Sequence, residues 1–215
     1  MSRAVLFDLD GTLTDTVPLI AEHIAAALNR DGIECSPRDV YPLIGQPIEV
    51  AMHKLHLFDD LDRMGRVIDD YRDTLSVAVD EAGEGLVLPG VFDMLHALRE
   101  AGYRIGVVTA KGTNSAVHLL GLTGLGDLID ALVTTDEVEN GKPAPDSALL
   151  GLERLGVQAE GTWYVGDAAS DMIMALAAGM RAMGITTGAA TREELLAGGA
   201  EIVVDHAAEV PALLS

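Results

Sequence analysis

Two aspartates near the start of the chain, Asp8 and Asp10, have the spacing of a reactive carboxylate pair. They follow the apolar run VLF and precede Gly11, Thr12 and a third carboxylate, Asp15. Carboxylates this close repel one another, so such a pair commonly shares a proton or a cation. Ligands bind at the ends of strands in α/β sheets. The segment therefore predicts a metal site beside a nucleophile; the alternative is an ordinary Asp-Gly turn.

Two later segments offer groups that suit a phosphate. In VTAKG a predicted strand ends at Thr109 shortly before a helix, and both a threonine hydroxyl and a helix N-terminus bind anions. Lys142 lies between Gly141 and Pro143, just ahead of another helix, where its ammonium could neutralise a phosphate and the charge that develops on it. The alternatives are that Thr109 only caps a helix and that Lys142 is a solvated surface lysine.

A fourth segment, YVGDAASD, again ends a predicted strand in a carboxylate. Asp167 is followed four residues later by Asp171, so a helix beginning there would direct both to one side. Helix capping by aspartate is the alternative for each. Because the candidate ligands are all oxygen atoms, the set predicts Mg²⁺ rather than zinc.

The elements that must position these residues alternate between strand and helix. Strands are predicted at 4–7, 104–108, 131–134, 162–165, 181–185 and 201–204, and helices at 91–101, 114–120, 145–155, 170–178 and 192–197. This alternation predicts an α/β fold, a parallel sheet with helices on both faces.

Residues 16–85 interrupt that alternation. They show helical patterns at 17–29, 37–43, 47–55 and 60–79 and no convincing strand. We therefore predict a catalytic core of residues 1–15 and 86–215 and a small helical cap of residues 16–85. The connections would be residues 14–16 and the loop 81–85, whose two glycines suit a hinge.

Composition limits the possible partners. The 215 residues carry a formal net charge of −20, which disfavours nucleic acid and anionic membranes. No apolar run is long enough to span a membrane, and the start of the chain does not read as a signal peptide. The single cysteine, Cys35, excludes an intramolecular disulfide, and a cytoplasmic location is expected.

Taken in order, the segment DLDGTLTD at residues 8–15, Thr109, Lys142-Pro143 and Gly166-Asp167 with Asp171 resemble the haloacid dehalogenase (HAD) superfamily of phosphohydrolases. The chain is most similar to its phosphoglycolate phosphatase-like and β-phosphoglucomutase-like members, and the resemblance covers nearly the whole chain. It implies a HAD-like, Rossmann-like core and a helical cap that closes over the site.

The resemblance also implies a role for each matching residue. Asp8 would be the nucleophile, and Asp10 the general acid that later activates water. Thr109, Ala110 and Lys142 would hold the phosphoryl group. Mg²⁺ would be bound by the Asp8 carboxylate, the backbone carbonyl of Asp10 and Asp167, with Asp171 as a ligand or close by.

Several choices stay open at this stage. Gly45 and Gln46, between cap helices, are candidates for reading the leaving group, or form only a turn. His53 and His56 are more simply exposed helix residues. Ala110 and Ala168 depart from the pattern of close relatives and weigh against phosphoglycolate in particular.

The expected function is a Mg²⁺-dependent phosphatase acting on a small phosphorylated metabolite, as a monomer or homodimer. The alternatives are a sugar phosphomutase and a non-catalytic protein that binds a phosphorylated ligand.

Overall fold

Six parallel strands form one sheet in a computed structural model that describes residues 3–54, 58 and 60–214. The strands are β1 (Arg3–Phe7), β2 (Tyr103–Val108), β3 (Ala131–Val133), β4 (Trp163–Gly166), β5 (Arg181–Ile185) and β6 (Ile202–Val204). Their order across the sheet is β3-β2-β1-β4-β5-β6. The carboxyl ends of β2, β1 and β4 therefore lie side by side at the centre of one edge.

The strands are apolar because both faces of the sheet are covered. Val5 and Phe7 of β1 pack into one hydrophobic cluster, whereas Ala4 and Leu6 pack into another on the opposite face. Side chains alternate in this way along any strand. The prediction of a parallel sheet with helices on both faces is confirmed.

Six helices follow β1 and the inserted segment in sequence. They are α5 (Val91–Glu100), α6 (Thr113–Leu122), α7 (Asp146–Leu155), α8 (Ala169–Ala177), α9 (Arg192–Ala197) and α10 (Val210–Leu213). Residues of α5, α6 and α10 belong to the cluster that contains Phe7, and residues of α7, α8 and α9 to the cluster that contains Leu6. Helix α10 was not predicted from the sequence.

Between β1 and β2, the described residues form four α-helices before α5: α1 (Val17–Arg30), α2 (Pro37–Val40), α3 (Ile48–Lys54) and α4 (Leu61–Ala82). The two long ones, α1 and α4, pack through buried apolar positions such as Ile24 and Leu75. Asp60 caps α4, since its carboxylate accepts a hydrogen bond from the backbone N–H of Asp62 at 2.9 Å. No strand occurs within the described residues of this segment. Among the described helices, none has the length and apolarity that crossing a membrane requires.

The predicted loop at 81–85 is wrong in its bounds and form, while its role as a hinge stays a prediction. Helix α4 continues to Ala82, and a turn of 3₁₀ helix spans Gly83–Leu86. The helix therefore runs three residues beyond its predicted end at residue 79, and it ends where Gly83 adopts a positive φ of 57°.

The chain leaves and re-enters the sheet through a short antiparallel contact. The backbone N–H of Asp15 donates to Leu86 O at 2.7 Å, and that of Leu88 donates to Leu13 O at 3.1 Å. Both ends of the inserted helices are therefore fixed beside the end of β1.

Candidate active site

Asp8 is the first residue after β1, and its side chain is buried. Its backbone N–H donates to Val165 O of the neighbouring strand at 2.9 Å, which fixes the start of the loop. Burial raises the pKa of Asp8 to about 7; the Lys142 ammonium opposes this shift, while the charges of Asp171 and Asp10 add to it. Asp8 therefore lies where an extra positive charge would stabilise its ionised form.

Lys142, in the loop between β3 and α7, is buried and bonds to two carboxylates. Its Nζ lies 2.8 Å from Asp8 Oδ1 and 2.7 Å from Asp171 Oδ1. Burial alone would lower the pKa of Lys142, but the two carboxylates raise it above the ordinary value. The interpretation of Lys142 as a solvated surface lysine is therefore wrong.

Asp167 follows β4 directly and is held by groups from two other loops. Its Oδ1 accepts from the Thr12 hydroxyl at 3.0 Å, and its Oδ2 accepts from the Ala189 backbone N–H at 2.7 Å. Burial and the charges of Asp8 and Asp171 raise its pKa well above the ordinary value.

The two carboxylate oxygens of Asp171 have different partners: one caps a helix and the other belongs to the charged cluster. Oδ2 accepts from the backbone N–H of Ala168 at 3.1 Å, at the start of α8. Oδ1 faces Lys142 and also accepts from the Tyr164 hydroxyl at 3.2 Å. A single side chain thus caps the helix and completes the charged cluster.

The donor set of Asp8, Asp167 and Asp171 fits a divalent cation. One oxygen from each lies within 4.8 Å of the others, and all three side chains are buried. Within the described residues Lys142 is the one cation paired with them, so two negative charges would be uncompensated if all three were ionised. Burial and mutual repulsion accordingly raise the pKa values of Asp8 and Asp167. Oxygen donors of this kind suit Mg²⁺.

The side chain of Asp10 lies outside that group. Its Oδ1 accepts from the Thr16 hydroxyl at 2.5 Å and pairs with Lys111 Nζ at 3.1 Å. Sequence reasoning missed Lys111; the available signal was a cation three residues past the end of β2 and two past Thr109.

A cavity of about 140 Å³ separates the inserted helices from this edge of the sheet. Six of the site residues predicted from the sequence line this cavity: Asp8, Asp10, Gly45, Gln46, Thr109 and Ala110. The buried residues behind this lining are Lys142, Asp167 and Asp171.

Thr109 is not a helix cap, because α6 begins at Thr113 and Gly112 occupies the capping position. His53 is exposed on α3 and does not line the cavity, and His56 lies outside the described residues.

The loop that carries Gly45 and Gln46 contacts the start of α8. Gly45 O accepts from the Ser170 hydroxyl at 2.7 Å. Gly45 has a φ of 90°, and a Cβ placed on it would lie 2.5 Å from the Ala168 methyl group. Only glycine therefore allows this loop to approach the helix that carries Asp171.

Comparison with known proteins agrees with this geometry. The family model "Haloacid dehalogenase-like hydrolase" matches residues 5–185. Probable phosphatase IndB of Dickeya dadantii is 36% identical over 98% of this chain and 92% of its own. A plasmid-encoded phosphoglycolate phosphatase of Cupriavidus necator is 35% identical over 99% of this chain and 93% of its own.

A solved structure, the β-phosphoglucomutase of Clostridium difficile, has the same fold. It superposes with a TM-score of 0.84 at 23% identity, over 98% of this chain and 93% of that one. Since the family model covers most of the chain and the relatives span nearly all of it, the protein belongs to the haloacid dehalogenase-like hydrolases.

Proposed function

We propose that this protein is a Mg²⁺-dependent phosphatase that hydrolyses a small phosphate monoester through a phosphoaspartate on Asp8. One observation carries the proposal: Asp8 opens onto the cavity while Lys142 and the other two buried carboxylates surround it. An ordinary buried ion pair would not present a carboxylate to an open cavity.

The first step would be attack of an Asp8 oxygen on phosphorus. Mg²⁺ would be held by the carboxylates of Asp8, Asp167 and Asp171 and, as in the family, by the backbone carbonyl of Asp10. When bound, it would offset their charge and polarise the phosphoryl oxygens. Lys142 holds Asp8 in one orientation through its 2.8 Å contact.

The Thr109 hydroxyl is available to a phosphoryl oxygen. Its Oγ1 accepts a hydrogen bond from the backbone N–H of Lys111 at 3.1 Å, and Thr109 lines the cavity. Within the described part of the chain this hydroxyl donates to no other group, so its proton can be donated to the substrate.

Asp10 would move the proton in both steps. In the first, the bond between phosphorus and the leaving oxygen breaks, and Asp10 gives its proton to that oxygen. In the second, water attacks the phosphoaspartate, gives its proton to Asp10 and restores the Asp8 carboxylate. The contacts with Thr16 and Lys111 hold Asp10 beside the reacting atoms.

The division into a core of residues 1–15 and 86–215 and a cap of residues 16–85 is part of the proposal. The cap would close over the bound ester and exclude water. The contact between Gly45 and Ser170 supports this role because it joins the two parts directly above α8. We also propose that the protein works in the cytoplasm, as a monomer or homodimer.

Phosphate release from a panel of small esters and pyrophosphate, with Mg²⁺ and with EDTA, tests the function. We expect release from a few substrates and none in EDTA. Asp8→Asn should abolish release and leave the circular dichroism spectrum unchanged, because the side chains have the same shape.

Asp15→Asn is the matched control, since Asp15 belongs to the same motif but is exposed. Full activity of the Asp8→Asn variant would show that Asp8 is not the nucleophile. A sugar phosphate that is isomerised without net phosphate release would identify a mutase instead.

A further inference from the structure

The cavity wall that the inserted helices form is mainly apolar, whereas polar side chains such as Ser115, His118 and Thr135 line the opposite wall. Helices α1, α3 and α4 and the loop before α3 turn aliphatic side chains toward the cavity, among them Ile20, Ile24, Leu43, Ile48, Leu75 and Val79. Transfer of apolar surface from water to such walls is favourable, whereas a polyol would lose its hydration there. This part of the cavity faces the side on which the alcohol portion of an ester would lie.

The charged side chains that line the cavity already have partners. Arg72 pairs with Glu49 at 2.6 Å, Lys111 with Asp10 at 3.1 Å, and His118 with Asp80 at 2.5 Å. A substrate carboxylate would have to break one of these pairs. Within the described residues, the cavity therefore offers no unpaired cation for a second negative charge.

Tyr71 of α4 supplies a different polar group. The residue is 8% exposed and lines the cavity, and within the described part of the chain its hydroxyl makes no hydrogen bond. No fully buried side-chain oxygen among those residues lacks a partner, so this hydroxyl keeps some exposed surface, and the cavity that Tyr71 lines is the space we assign to it. Burial, and to a smaller extent the charge of Asp10, raises the pKa of Tyr71. The hydroxyl of Tyr71 is therefore neutral and can donate a hydrogen bond.

We propose that the substrate is a phosphate monoester whose alcohol portion is uncharged and mainly apolar, with one oxygen that Tyr71 hydrogen-bonds. This inference rests on the proposed phosphatase function. It makes Tyr71 a specificity-determining residue of the cap.

Three esters of similar size test the inference: propyl phosphate, 2-hydroxypropyl phosphate and phosphoglycolate. We expect kcat/KM for 2-hydroxypropyl phosphate to exceed that for phosphoglycolate by about tenfold or more, because the carboxylate would lose its hydration against the apolar wall and would gain little by competing for the half-exposed, already paired Arg72 or His118. Tyr71→Phe should reduce the ratio of kcat/KM for the hydroxylated ester to that for propyl phosphate by about fivefold, the worth of one hydrogen bond. Tyr41→Phe, another tyrosine of the inserted segment that does not line the cavity, should leave this ratio unchanged.

The outcomes separate the two claims. Release from phosphoglycolate at a higher kcat/KM than from both neutral esters would overturn the inference and leave the phosphatase function standing. An unchanged ratio in Tyr71→Phe would remove Tyr71 from substrate recognition. No phosphate release from any ester would overturn the phosphatase function and the inference together.

Discussion

Replacing Lys142 by methionine should destabilise the metal-free protein strongly. Methionine has a similar length and is flexible enough to fill the space without a clash. The substitution removes the ammonium from between Asp8 and Asp171 and leaves three buried carboxylates without a countercharge. The variant therefore isolates the electrostatic role of Lys142.

The magnitude follows from the two contacts. Both side chains of each pair are at most 5% exposed, so water cannot take the place of the lost ammonium. Breaking a buried ion pair by removing one partner costs about 3–5 kcal/mol. In a chain of this length each kcal/mol lowers Tm by about 2–4 °C, so we expect Tm to fall by about 10 °C.

Urea unfolding in EDTA measures this free energy directly. Arg30→Met is the matched control, because the pair of Arg30 and Asp70 is 49% and 42% exposed and should contribute less than about 1 kcal/mol. Adding Asp171→Asn to Lys142→Met should recover part of the loss, since it removes one of the stranded charges. A cost below about 1 kcal/mol for Lys142→Met would refute the reasoning.

Two further predictions concern the metal site. Gly11→Ala should lower Tm and weaken Mg²⁺ binding measured by calorimetry, because at a φ of 80° the new methyl group would collide with Asp167, whereas Gly32→Ala, at 86° in open space, should keep normal binding. The folded pKa of Asp8, about 7, lies above the unfolded value of 3.8, so the metal-free protein loses stability as the pH rises between these two values. Because Mg²⁺ would offset the charge of the ionised carboxylate, it should raise Tm more at about pH 8 than at about pH 5.5. Equal shifts at the two pH values would contradict this assignment.

The sequence was sufficient to predict the sheet and the buried charged cluster. Asp8 and Asp167 each directly follow an apolar strand, and parallel strands bring their carboxyl ends to one edge. The strand order places β1 between β2 and β4, so Asp8 and Asp167 meet as expected. Lys142 joins them because its loop leaves β3 at the same edge.

What the sequence did not reveal depends on how helices are rotated and docked. The pairing of Lys111 with Asp10 and the orientation of Tyr71 need the positions of α4 and of the loop after β2. The start of the loop was misplaced because its two glycines suggested that the helix ends at residue 79, whereas α4 continues to Ala82.

The antiparallel contact where the chain leaves and re-enters the sheet has an evolutionary consequence. A backbone hydrogen bond joins Asp15 to Leu86, so the two ends of the inserted segment are held as close together as the ends of a tight turn. Doubling the length of such a closed loop costs only about 0.6 kcal/mol of chain entropy. Helices between these two points can therefore be lengthened, shortened or exchanged while β1 keeps its register, so this fold can acquire new specificities without rebuilding its chemistry.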